Sequence, residues 1–81
     1  MIDPKTARLR LNRVFQDIFE DQSLEITDSM TAADVEDWDS LTHIDLIVQV
    51  EREFAIKFST AEVRGLKNVG DFVALIAQKA R

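Results

Sequence analysis

The sequence predicts an all-α fold: a four-helix bundle with three longer helices, a short third helix and a long loop between helices 1 and 2. Three observations predict it. Gly occurs twice and Pro once, while charged residues reach 31%, a balance that suits helices better than strands and turns. Apolar residues recur at three- and four-residue spacing in three separate segments. A residue type that caps helices stands at the start of each of these segments, and of a shorter fourth one. Apolar residues make up 46% of the chain, enough for it to fold rather than stay disordered.

The first helix is expected from about residue 4 to about residue 20. Asp3 stands as N-cap before Pro4 at the first helical position, and Leu11, Val14, Phe15, Ile18 and Phe19 follow at helical spacing. Residues 21–38 break the pattern. Asp21, Ser23, Thr27, Asp28, Ser29 and Thr31 are turn and cap formers, with Leu24, Ile26, Met30, Val35 and Trp38 among them. A connection this long is uncommon in a compact domain and is often functional. Its apolar residues should pin it onto the core, with room for a short helical turn in 32–36.

Asp39 or Ser40 can cap the second helix, which runs to about Glu53. Its apolar residues form two sets. Leu46, Ile47, Val50 and Phe54 make one, and Leu41, Ile44 and Val48 the other. A helix apolar on two sides is central to its domain or docks a partner. In 81 residues, one set should stay partly exposed. Residues 55–58 read as a strand from their composition, though no partner strand is nearby. Ser59-Thr60-Ala61-Glu62 is a capping box opening a short third helix that stops near Gly65. Asn68 caps the last helix, whose apolar face is Val69, Phe72, Val73, Ile76 and Ala80.

Composition narrows the function. Residues 1–81 are expected to form one domain, with little room for a deep catalytic pocket. There is no cysteine, so disulfides and thiolate metal sites are excluded and any working thiol must come from outside the sequence. No apolar run of about 18 residues exists, so no membrane span is expected. The N-terminus lacks the apolar core of a signal peptide, which makes a cytoplasmic location the default. Net charge is −5, and it is segregated. Residues 1–14 carry four basic residues against Asp3. Residues 15–53 carry twelve acids against Arg52 alone, and residues 54–81 carry five basic residues against two acids. The acidic middle should repel nucleic acid and anionic membranes and steer toward basic protein surfaces.

At Asp39-Ser40-Leu41 the sequence resembles the acyl carrier protein family, whose Asp-Ser-Leu motif opens its second helix. The resemblance runs through Trp38-Asp39-Ser40-Leu41-Thr42-His43-Ile44-Asp45-Leu46 and residues 48–58. It resumes at Leu66-Lys67-Asn68-Val69-Gly70-Asp71-Phe72, similar to the family's Thr/Asn-Val-Gly-Asp helix start. It covers essentially the whole chain. It implies 4′-phosphopantetheine on Ser40, between Asp39 and Leu41, attached from coenzyme A by a separate phosphopantetheinyl transferase. An acyl group would then be held as a thioester on the arm. The resemblance also implies a partner-facing edge of Asp39, Leu41, Ile44, Asp45, Val48 and Glu51. Acyl-loading and acyl-processing enzymes with basic docking surfaces would read that edge. The chain would be a monomeric carrier in fatty-acid, polyketide or other specialised acyl-chain biosynthesis, and not itself an enzyme.

Three positions depart from the family. Trp38 stands where many members have Gly directly before the Asp. Thr42 and Arg52 stand where the fatty-acid type often has acids, which favours a specialised carrier at least as much. A peptidyl or aminoacyl carrier is the alternative within the family, but such carriers more often have Gly-Gly before the motif. The physical reading of Ser40 agrees with the resemblance. A phosphodiester there would meet the free N–H groups and dipole of a helix start, and no protein thiol would compete with the arm's.

Other readings of the same residues are weaker. Ser40 could be a plain N-cap. Ser40 and His43 lie three apart, a spacing that brings a nucleophile and a base to one helix face. Such a pair needs an orienting third group and an oxyanion site, and the sequence has no Gly-rich nucleophile turn. His43 is therefore expected at the surface beside the arm. Counting a calcium loop from Asp34 puts Trp38 at the fifth position and Asp39 at the sixth, where a ligand and Gly are needed; weak divalent binding to the acidic cluster stays open, but no dedicated metal site is expected. An unmodified acidic helical adaptor using the same face is the alternative outside the family.

Overall fold

The computed structural model describes residues 2–80. Helix α1 spans Pro4–Ile18, α2 Ser40–Phe54, α3 Thr60–Arg64 and α4 Val69–Lys79, with a 3₁₀ turn at Ala32–Asp34 in the long loop. No strand occurs among the described residues. The expected four-helix architecture is the observed one, with α1 packed against both α2 and α4.

Each apolar stripe lands in one core. Ala7, Leu11, Val14 and Phe15 come from α1, Leu46, Val50 and Phe54 from α2, and Val69, Phe72, Val73 and Ile76 from α4. Phe15 sits among the other rings. It meets Trp38 edge-on at 5.2 Å and Phe72 edge-on at 6.4 Å between ring centres, a geometry that aromatic quadrupoles favour.

The long loop is fastened by both apolar and polar means. Ile26 and Trp38 are buried. Asn12 Oδ1 accepts from Ile26 N at 2.9 Å, and Arg8 grips Asp28 with two nitrogens at 2.9 Å each. The loop then caps α4 from outside. Val69 N donates to Met30 O at 2.9 Å and Gly70 N to Asp28 O at 2.8 Å. These are two of the N–H groups that a helix start leaves unpartnered. Asn68 Oδ1 takes a third, from Asp71 N, at 2.9 Å. Gly70 permits this approach, because a Cβ there would lie 3.0 Å from Asp28 O.

Three local expectations need correction. Asp3 holds the N-cap position of α1, but its side chain makes no capping bond; Pro4 carries the helix start by its fixed φ. Helix α1 stops at Ile18, short of residue 20, and Glu20 follows at φ 51°. Residues 55–58 are not a strand. Ala55 ends α2 in the left-handed conformation at φ 54°, ψ 47°, which turns the chain away from the helix axis. Ile56 is then buried, so its strand-like composition reflects core packing.

Candidate functional site

The site is built on the start of α2, and Trp38 anchors it. The indole is buried against Phe15, which fixes the end of the long loop to the core. Its Nε1–H donates to His43 Nδ1 at 3.1 Å. The two rings lie 18° from parallel, and His43 meets Phe72 edge-on at 5.9 Å. His43 is thus half-buried and joins Trp38 to Phe72, rather than standing on the surface as expected. Partial burial lowers its pKa below the ordinary imidazole value by disfavouring the charged ring. Its Nδ1 is occupied by the indole, and the bonds described for it include none to Ser40.

Asp39, not Ser40, caps α2. Asp39 Oδ1 accepts from Leu41 N and Thr42 N, both at 3.0 Å. Thr42 Oγ1 returns the cap by accepting from Asp39 N at 2.8 Å, and donates to Asp37 O at 2.8 Å. This is a capping box closed by a threonine hydroxyl in the place more often held by Glu or Gln. The bond from Thr42 N, first among its causes, lowers the Asp39 pKa below the usual carboxylate value. The arrangement also corrects an expectation. The amides of Leu41 and Thr42 are already taken by Asp39, so they are not free to receive an anion attached at Ser40.

Ser40 is the first residue of α2 and is exposed. Its hydroxyl enters none of the bonds of the cap. Beside it runs an open groove of about 470 Å³, lined by Ala32, Trp38, Asp39, His43, Ile44, Leu66 and Lys67 together with Ser40 itself. An exposed, uncommitted Oγ next to an apolar groove with a lysine among its walls fits a serine-linked phosphodiester bearing an extended arm. Asp39 and Leu41 flank that oxygen in the chain, and the cap holds their backbone in place.

Of the predicted partner edge, Leu41, Ile44, Asp45, Val48 and Glu51 share one side of α2 by helical spacing, and Asp39 stands at its N-cap. Leu41, Ile44 and Val48 are 75%, 60% and 41% exposed, and Asp39 and Asp45 are exposed beside them. Of the other apolar set, Leu46, Val50 and Phe54 are in the core and Ile47 packs against it, partly buried. Glu51 lies further along the same side, but its Oε2 accepts from Phe58 N at 2.8 Å and supports the chain reversal after α2. Neither the capping role of Thr42 nor the place of Lys57 is legible in the sequence; Lys57 shares a second groove of about 490 Å³ with Val48, Glu51, Arg52, Ala55 and Ile56 at the far end of α2.

Three of the terminal basic residues pair with acids other than those around Ser40, where Lys67 is the basic residue of the groove. Arg8 pairs with Asp28, Arg10 with Glu53 and Lys79 with Glu62. Among the described residues, the ion pairs include none to Asp34, Glu36, Asp37, Asp39 or Asp45. These five acids surround the approach to Ser40 along the chain.

The small helical bundle offers an exposed helix-start serine above an acid-flanked apolar stripe, an arrangement that fits a carrier domain. The family model of the phosphopantetheine attachment site matches residues 10–76, and the chain belongs to that family, as an acyl carrier protein. It is 30% identical over 66 residues to the acyl carrier protein of Rhodococcus erythropolis, across 82% of this chain and 72% of the relative. It is similarly 30% identical over 66 residues to the meromycolate extension acyl carrier protein of Mycolicibacterium smegmatis, across 82% of this chain and 67% of that one. The solution NMR structure of the holo acyl carrier protein of Geobacter metallireducens superposes with a TM-score of 0.81 at 42% identity, covering 85% of this chain and 79% of that one. The cofactor of this family is a covalently attached phosphopantetheine. Among the described residues, no helix is long and apolar enough to cross a membrane.

Proposed function

We propose that Ser40 Oγ is the attachment atom for 4′-phosphopantetheine, and that the loaded arm presents an acyl thioester to the enzymes of an acyl-extension pathway. The observation that carries this reading is the exposed Ser40 hydroxyl, uncommitted at the first position of α2 and beside an open apolar groove. In loading, Ser40 supplies the oxygen and gives up its proton; the transferase and coenzyme A supply the base and the leaving group. Asp39 and Thr42 hold the helix start still while this happens. Trp38 and His43 form the floor against which the arm can lie.

The partner side of the reading rests on charge and exposure. Asp39 and Asp45 attract a basic docking surface and raise the rate of encounter, while Leu41, Ile44 and Val48 supply contact area. The chain catalyses no step itself and works as a cytoplasmic monomer. Thr42 and Arg52 favour a specialised carrier at least as much as a housekeeping one, and meromycolate extension is the process named for several relatives.

The test is intact mass after incubation with coenzyme A and a broad-specificity phosphopantetheinyl transferase. The mass should rise by one arm in the native chain and not in Ser40→Ala. No rise, or a rise that survives the substitution, refutes the assignment.

A further inference from the structure

The face of α2 changes sign along its length. At the Ser40 end it carries Asp39 and Asp45, neither in an ion pair described above. At the other end Arg52 and Lys57 are both exposed and border the groove that Val48 and Ile56 line, while Glu51 in the same groove accepts from Phe58 N and Glu53 pairs with Arg10. The ion pairs of the described residues engage Arg8, Arg10 and Lys79, so Arg52 and Lys57 keep their charge for an incoming surface. Val48 belongs both to the exposed apolar stripe and to this groove. The groove is therefore continuous with the docking edge.

We propose that Arg52 and Lys57 are a specificity element that takes carboxylates of a partner enzyme. The enzymes this carrier serves would then turn from basic to acidic along the length of α2. The proposal rests on the carrier reading of Ser40, which assigns the two ends of the face their roles.

Geometry makes the two ends separate signals. At 1.5 Å per residue, Arg52 stands about 18 Å along the helix axis from Ser40. Physiological salt screens exposed charges beyond about 8 Å, so the acids near Ser40 do not cancel Arg52 and Lys57. A partner that is basic throughout gains at one end and is repelled at the other. A partner that turns acidic gains at both, and the Arg52 guanidinium can bind a carboxylate with two parallel bonds. Selectivity then comes from the repulsive element as much as from the attractive one. The same charges also fix polarity, since a docked α2 turned end for end would set like charges together.

The probe is a bacterial fatty-acid β-ketoacyl synthase whose docking surface is basic throughout. Its comparison form carries two basic-to-Glu substitutions on the rim farthest from the active-site entrance. With the loaded, acylated chain at physiological ionic strength, kcat/KM should favour the Glu form of the synthase by about fivefold. Arg52→Glu with Lys57→Glu should reverse that preference. Arg52→Gln with Lys57→Gln should abolish it without reversal, and about 0.5 M salt should flatten all of it. A native chain that takes the arm but shows no preference, or one unaltered by the substitutions, overturns this proposal alone. A native chain that takes no arm overturns the carrier reading and this one with it. Sedimentation velocity adds one further outcome. A dimer abolished by the charge reversal would make a second copy the occupant and overturn the assignment to an enzyme.

Discussion

Replacing Trp38 by Phe tests the anchor beneath the site. The substitution keeps an aromatic ring against Phe15 but removes the Nε1–H that His43 Nδ1 accepts at 3.1 Å. Trp38 is buried, so the smaller ring gives up roughly 40 Å² of apolar burial, or about 1 kcal/mol at 25 cal/mol per Å². The unpartnered His43 nitrogen adds about 0.5 kcal/mol, the low end for a lost hydrogen bond, because the half-buried ring is reached by water. The expected loss is about 1.5 kcal/mol, against about 3–5 kcal/mol for Trp38→Ala, which also empties the site. Urea denaturation followed by far-UV circular dichroism at pH 7.5 measures both. The bond itself is isolated by a double-mutant cycle with His43→Leu, with an expected coupling of about 0.5–1 kcal/mol. Zero coupling would show that the indole and imidazole pack side by side without a stabilising bond, and would refute the account of the anchor.

Three further outcomes follow from the same structure. The pKa of His43 is lowered by burial in the fold, whereas the unfolded ring titrates near 6.5. The unfolded chain therefore binds the proton more readily: stability is full above about pH 6.5 and declines as pH falls from there through the folded pKa. His43→Asn should flatten the change in unfolding free energy between pH 7.5 and 5.5, and an unaltered slope would assign it to other groups. Ala55→Gly should raise stability by about 0.5–1 kcal/mol in the same denaturation assay. The left-handed cap at φ 54° costs a residue with a Cβ and costs Gly little. Gly70→Ala should lower stability by about 1 kcal/mol despite the better helix propensity of Ala. The new Cβ would press on Asp28 O at 3.0 Å and on Asn68 Oδ1 at 3.2 Å, and a gain instead would show that the loop yields freely.

Much of the site was legible because it is local. Caps and apolar stripes are interactions between residues two to four apart, so the capping box at Ser59 and the cap at Asn68 could be read from the order of residues and are found as read. The two apolar sets of α2 could be read in the same way. One surplus stripe on a helix of so small a protein has to face outward, and Leu41, Ile44 and Val48 do. The limits were local too. Asp39 and Ser40 are both good caps, and sequence alone left the choice between them open. The hydroxyl of Thr42 decided it by closing the box on Asp39, which leaves the Ser40 Oγ uncommitted.

By itself, then, the sequence determined the helices, their order, the motif at Asp39-Ser40-Leu41 and the outward stripe that follows it. The tertiary structure decided what the long loop and the single residues do. It turned Trp38 inward against Phe15, drew His43 off the surface and set Glu51 to hold Phe58 N. It also left Arg52 and Lys57 exposed at the end of α2. The reason is physical. Periodicity and capping are written in neighbours along the chain, but burial and pairing depend on which distant segments meet. Only packing brings Phe15 under Trp38, and Asp28 over Gly70.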